Sequence, residues 1–220
     1  MDRLICFIGP PGSGKGTQAR ILINTLYSND KKAFFLETGV LLKNDIRDDK
    51  ISNEFFDYMK LGKLVPDDIV NDWMSVYLLN YISKSGILIL DGFPRTLGQA
   101  IFLDIFLKKY DKKVDAVINF DIKREAVINR LAKRLLCENC SKTFILEELT
   151  DLNFKCNNCG SNRINKRNDD SNIAINRRFD DYCVTKDLLI NHYKHYILDI
   201  DANNSVQSIA NKIFRYIDSF

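Results

Sequence analysis

The chain has 220 residues, 45% hydrophobic and 28% charged, enough to bury one main core with one or two insertions. Its 32 basic residues against 29 acidic ones leave a net charge of +3, too little to drive binding to nucleic acid or to an anionic membrane. No apolar run approaches the roughly 18 to 20 residues of a membrane span, and the run Leu4–Ile8 enters a glycine loop with no cleavage signature, so a soluble chain in a reducing cytoplasm is expected.

Five short apolar runs recur along the sequence: Leu4–Ile8, Ala33–Leu36, Ile87–Leu90, Ala116–Phe120 and Ile197–Ile200. They lack the alternation of a half-exposed strand and therefore predict strands buried on both faces of a parallel sheet. Helical spacing fills the intervals at Gln18–Tyr27, Asp67–Ser83, Gly98–Tyr110 and Arg124–Leu135. The alternation predicts an α/β fold, a doubly wound five-stranded parallel sheet with helices on both faces. Two segments interrupt it. Residues 38–65 are helical and charged without a strand signal, and residues 137–164 carry four of the six cysteines.

After the first strand comes Gly9-Pro10-Pro11-Gly12-Ser13-Gly14-Lys15, which fits G-x-x-x-x-G-K between a predicted strand and a predicted helix. Glycines there let successive backbone N–H groups turn in on a phosphate, and the helix N-terminus adds donors and dipole. Lys15 supplies a cation for the phosphates, and the hydroxyl usually next to it comes one place later, at Thr17. Asp91 ends the third strand, at the sheet edge where ligands bind, and suits Mg²⁺ held through water; a plain turn aspartate is the alternative. Arg124, Arg130, Lys133 and Arg134 recur along one predicted helix, a phosphate-directed or merely solvated face, or a stripe for RNA. His192 and His195 fall in a late helix and read as packing or surface residues.

Cys137-x₂-Cys140 and Cys156-x₂-Cys159, fifteen residues apart, fit a tetrahedral Cys₄ zinc site. Four thiolates leave no position for water, so such a metal is structural; buried or redox-active cysteines are the alternative.

The run GPPGSGKGTQ resembles the loop of the adenylate kinases, nucleoside monophosphate kinases that move a phosphoryl group from ATP to AMP. Similar segments follow in order over essentially the whole chain: Thr38-Gly39, Gly62-Lys63-Leu64-Val65, Asp91-Gly92-Phe93-Pro94-Arg95-Thr96 with Gln99, Arg130 with Arg134, and Arg167-Asn168-Asp169-Asp170 with Arg178. The resemblance implies reversible, Mg²⁺-dependent conversion of ATP and AMP to two ADP. It puts Lys15, Arg95, Arg130, Arg134, Arg167 and Arg178 on the phosphates and Asp91 near Mg²⁺. The donor site would use Gly12, Ser13, Gly14, Lys15, Gly16, Thr17, Arg130 and Arg134. The acceptor site would use Thr38, Gly39, Lys43, Val65, Gly92, Arg95, Arg167 and Arg178, with Gln99 on the adenine. Asp169 and Asp170 would latch a lid folded around structural Zn²⁺ on Cys137, Cys140, Cys156 and Cys159.

The same resemblance divides the chain into a core (1–37, 66–129 and 165–220), an AMP-binding insertion (38–65) and a zinc lid (130–164). It implies a monomer acting on small nucleotides, with no nucleic-acid or membrane partner. One departure stands out. Where the family usually reads Thr-Gly-Asp-x-Leu-Arg, this chain has Val40 for the Asp and Lys43 for the Arg. Rival readings are a related kinase using GTP as donor or another acceptor, and a zinc-ribbon nucleic-acid-binding ATPase. Against the second stand Thr38, Arg95 and Gln99, an acceptor set that a motor has no use for.

Overall fold

The computed structural model describes residues 1–140, 142–146, 154–166 and 170–219. Five parallel strands form the main sheet: β1 (Arg3–Ile8), β2 (Ala33–Glu37), β3 (Ile87–Asp91), β4 (Ala116–Asp121) and β8 (Ile197–Asp201), in the order β2-β3-β1-β4-β8. Register sets Phe7 beside Asp91 on one side and beside Ile118 on the other. The first strand is thus central, and the chain winds outward from it in both directions. The crevice expected at that switch point lies over the carboxyl ends of β1, β3 and β4.

Successive side chains of the central strands feed opposite cores. Leu4, Cys6 and Ile8 point into a cluster closed by α4 (Asp67–Ile82), α5 (Leu97–Lys108) and the end of α7 (Asn172–His192). Ile5 and Phe7 point into a second cluster closed by α1 (Lys15–Ser28), α6 (Arg124–Ala132), α8 (Val206–Asp218) and the start of α7. Both faces being covered explains why the strands read as unbroken apolar runs. The five strands, and the helices expected between the first four of them, stand within a few residues of where the sequence puts them. Helix α1 begins at Lys15, a turn before the expected start, because Gly14 at φ +96° turns the loop directly into the helix.

Between β2 and β3 the chain adds α2 (Thr38–Arg47) and α3 (Glu54–Lys60). Helix α2 is tied to α4 by a buried carboxylate. Asp45 accepts from Trp73 Nε1 (2.9 Å), the Tyr77 hydroxyl (2.6 Å) and Lys50 Nζ (2.9 Å). These donors hold its pKa low, overcoming the desolvation that would raise it.

The fourth expected helix stops early. Helix α6 ends at Ala132, and Arg134–Cys137 forms β5, central to a small antiparallel sheet with β6 (Thr143–Ile145) and β7 (Ile164–Asn165). Leu135 and Cys137 alternate inward there, joining Phe144 and Cys156 in a third, local core. Arg134 therefore lies on a strand and not on one face with Arg124 and Arg130, which removes the single-helix basic stripe. His192 closes α7 against Asp104 (2.7 Å), whereas His195 lies beyond the helix. Among the described residues, no helix is long and apolar enough to cross a membrane.

Candidate active site

A cleft of about 1020 Å³ opens over the carboxyl ends of the strands. One wall is the loop between β1 and α1. Gly9 sits at φ +146°, and a Cβ there would meet the Phe120 carbonyl at 2.8 Å; Gly12 is at φ +72°. Only glycine carries the backbone through these turns. Ser13 is buried within the loop, whereas Thr17 is exposed on the cleft.

Lys15 folds back over its own loop, donating to the carbonyls of Gly9 and Pro10 (2.9 Å each). Desolvation pulls its ammonium down to about 8; Asp91 opposes the shift, and Arg95 and Arg134 add to it. Such a lysine lacks a full counter-charge, which a polyphosphate would bring. Asp91 is buried at the end of β3, with Oδ2 3.4 Å from where a Cβ on Gly16 would stand. An acidic oxygen beside the loop, with the Thr17 hydroxyl on the same cleft, offers oxygen donors of the kind that fit Mg²⁺.

The guanidinium groups come from a loop and three elements: Arg95 from the loop before α5, Arg130 from α6, Arg134 from β5 and Arg178 from α7. Arg95 lies on the cleft wall, its Nε donating to Gly92 O at 2.9 Å and its Nη2 3.8 Å from the Cβ position of Gly39. Arg130 donates to the carbonyls of Ala202 (2.6 Å) and Gly12 (3.4 Å). Arg134 makes a two-toothed pair with the buried Asp170, at 2.8 and 2.5 Å. Arg178 stands 4.0 Å from the same carboxylate and donates to Met59 O at 2.9 Å. Arg167 and Asp169 lie outside the described residues.

On the side facing α2, Gly39, Val40, Lys43 and Gly92 line the cleft. Thr38, Val65 and Gln99 are buried and do not belong to its lining. The Thr38 hydroxyl is buried without a hydrogen-bond partner. Gln99 donates from Nε2 to Asp67 Oδ1 (2.7 Å) and accepts from the Arg95 backbone N–H (2.8 Å).

Two wall residues escaped the sequence reading. Asp181, whose carboxyl is raised chiefly by burial, lies near Arg177 and Arg95, and Tyr182 donates to Asn119 Oδ1 at 2.9 Å. Asp181 follows Arg178 by three positions on one helix, a same-face spacing that could have marked it; nothing in the sequence marks Tyr182.

The four paired cysteines meet in the small sheet, their sulfurs all within 4.8 Å of one another. Cys137 and Cys159 are 3.6 Å apart, and Cys140 and Cys156 are 3.5 Å apart. A disulfide needs about 2.05 Å. A tetrahedron of Zn–S bonds near 2.3 Å has edges of about 3.8 Å, so the cluster fits the metal. Cys159 is held down at about 6, first by the Asn139 side chain and then by the Ser161 N–H, so a thiolate is available at neutral pH.

A glycine cradle at β1, an acidic strand end, converging guanidiniums and a second wall on an inserted helix define a P-loop phosphotransferase that holds two phosphate-bearing ligands. Comparison with known proteins narrows this. The adenylate kinase family model matches residues 7–197. Among curated relatives, the adenylate kinase of Archaeoglobus fulgidus is 33% identical over 213 residues, 95% of each chain. That of Petrotoga mobilis is 31% identical over 220 residues, 98% of each chain, and that of Rickettsia typhi 34% over 218 residues, 96% of each. The chain belongs to the adenylate kinase family, the nucleoside monophosphate kinases that bind ATP, AMP and ADP.

Proposed function

We propose that the chain catalyses ATP + AMP ⇌ 2 ADP. The single observation that carries this reading is the one continuous cleft that joins the glycine loop to the α2 wall, with Arg95 between them. A phosphate oxygen of AMP attacks the γ-phosphorus of ATP, the bond from that phosphorus to the β,γ-bridging oxygen breaks, and ADP leaves from each side. Such transfer needs alignment and charge neutralisation more than acid–base help.

Each group then has a task. The loop N–H groups and Lys15 hold the donor's β and γ phosphates, with Gly12, Ser13, Gly14, Gly16 and Thr17 shaping the cradle. Arg95 serves both nucleotides, Arg130 and Arg134 the donor, and Arg178 the transferring group, where guanidinium forks match phosphate oxygens; the family resemblance assigns Arg167 the same task as Arg178. Thr38, Gly39, Lys43, Val65, Gly92 and Gln99 form the acceptor side. The unpartnered Thr38 hydroxyl supports a ligand there, because a buried hydroxyl left unpaired is costly. Gln99 retains one N–H and one lone pair for a base edge. Asp91, through water, and Thr17 would hold the Mg²⁺ that comes with ATP, which would supply charge neutralisation. Asp170 holds Arg134 until phosphate replaces it, and so latches the lid, a task in which the family resemblance gives Asp169 a share.

The proposed parts are a core of residues 1–37, 66–129 and 165–220, an AMP-binding insertion at 38–65 and a lid at 130–164 built on structural Zn²⁺. One chain lines the whole cleft, which supports a monomer, and nearly balanced charge supports nucleotides rather than nucleic acid as partners. Free thiols serving as metal ligands suit the cytoplasm. A coupled assay across donors and acceptors tests the reading. ADP should form from ATP only when AMP is added; ADP formed without AMP, or GTP preferred to ATP, would refute it.

A further inference from the structure

The first turn of α5 carries a set of hydrogen bonds whose directions are fixed. Asp67, in the first turn of α4, accepts the Thr96 hydroxyl on Oδ2 at 2.5 Å and Gln99 Nε2–H on Oδ1 at 2.7 Å. Gln99 Oε1 accepts the Arg95 backbone N–H at 2.8 Å, and the Gln99 backbone N–H donates to Thr96 Oγ1 at 3.1 Å. A carboxylate only accepts and a backbone N–H only donates. Turning the Gln99 amide over would set oxygen against carboxylate and N–H against N–H. With Gln99 2% exposed, water could not relieve the mismatch.

We propose that Asp67 is a specificity-determining positioning residue: by holding the Gln99 amide in one orientation it sets which purine edge, 6-amino or 6-oxo, the acceptor site takes. This rests on the reading above that Gln99 meets the acceptor base. A 6-aminopurine presents an acceptor at N1 beside a donor at N6, whereas a 6-oxopurine presents a donor at N1 beside an acceptor at O6. The free N–H and lone pair of Gln99 can match either edge, but only in opposite orientations. The acceptor's phosphate and ribose fix the base's approach, so an amide that cannot turn accepts one class. An amide free to turn accepts both.

The test is kcat/KM for AMP and IMP with saturating ATP in Asp67→Asn, because an asparagine can present either oxygen or N–H to Gln99 and leaves only the Arg95 backbone N–H to bias the amide. The AMP:IMP preference should fall at least tenfold with KM for ATP unchanged. A purely structural role would lower both acceptors together, and an unchanged ratio overturns the proposal. Should the single variant not fold, Asp67→Ser, whose hydroxyl either donates or accepts, is read in the same way: the AMP:IMP preference should fall, and a preference kept at the parent value overturns the proposal. Gln99→Leu separates the two levels. If it keeps the parent ratio, the base contact itself is wrong; if it loses the ratio while Asp67→Asn keeps it, only the orienting role of Asp67 falls.

Discussion

At the scale of single residues, charge decides what the cleft binds. Lys15 has been pulled down to about 8, and polyphosphate binds its protonated form. The sign follows: affinity is full below pH 8 and is lost as pH rises through it, by up to about tenfold per unit for this one group. At pH 8, ATP binding should take up on the order of half a proton. Calorimetry in two buffers of different ionisation enthalpy measures that uptake, and its absence between pH 7 and 9 would contradict the assignment of Lys15. Lys43 carries a second expectation. It lines the cleft where the family usually has a planar fork, and a compact ammonium is a weaker match to phosphate. Lys43→Arg should lower KM for AMP several-fold, about 1 kcal/mol, while KM for ATP stays put. Equal AMP kinetics in Lys43→Arg and Lys43→Ala would remove Lys43 from the acceptor phosphate. The glycine loop was legible because a phosphate cradle needs those residue types at that spacing, whereas the arginines were marked by the family resemblance. Asp45 was not. Its three donors come from Lys50 and from two aromatic residues about 30 positions away, a pairing that only the fold creates.

At the scale of elements, the parallel strands announced themselves as apolar runs because both their faces are covered. The antiparallel sheet did not, since β5, β6 and β7 span four, three and two residues, too few for a period to show. There the cysteine spacing was the signal, and the local core of Leu135, Phe144 and the buried thiols is too small to hold a fold by itself. On the proposed reading, metal binding supplies the difference. Purified protein should contain about one zinc per chain. Cys137→Ser with Cys140→Ser should abolish the zinc and split off an early melting step, while the five-stranded core, with its own two clusters, still unfolds cooperatively. Metal analysis and scanning calorimetry check both halves. Protein without zinc that ignores a strong chelator on heating would show that the sulfurs meet for another reason.

At the scale of the whole molecule, the doubly wound sheet could be read from element order, but the seating of α3 on α7 could not, since it turns on a close backbone approach. Helix α3 ends in a Schellman turn, with Lys63 N–H to Tyr58 O at 2.8 Å and Gly62 N–H to Met59 O at 3.1 Å, and Gly62 takes the left-handed position at φ +74°. There the chain touches α7: a Cβ on Gly62 would stand 2.6 Å from the Ala174 carbonyl, and Met59 O also receives Arg178. Gly62→Ala therefore meets two penalties, an unfavourable φ and a backbone clash that no rotamer change relieves. Gly160 provides the control, because its φ is +73° but nothing lies within 4 Å of its Cβ position. Gly160→Ala should cost about 1 kcal/mol from conformation alone. Gly62→Ala should cost on the order of 2 to 4 kcal/mol and raise KM for AMP more than KM for ATP, because α3 must lift from α7 and take Met59 away from Arg178. Denaturant unfolding and two-substrate kinetics give both numbers. If the two glycine variants lose equal stability and Gly62→Ala leaves KM for AMP unchanged, the insertion does not rest on α7 in solution, and Arg178 is positioned without it.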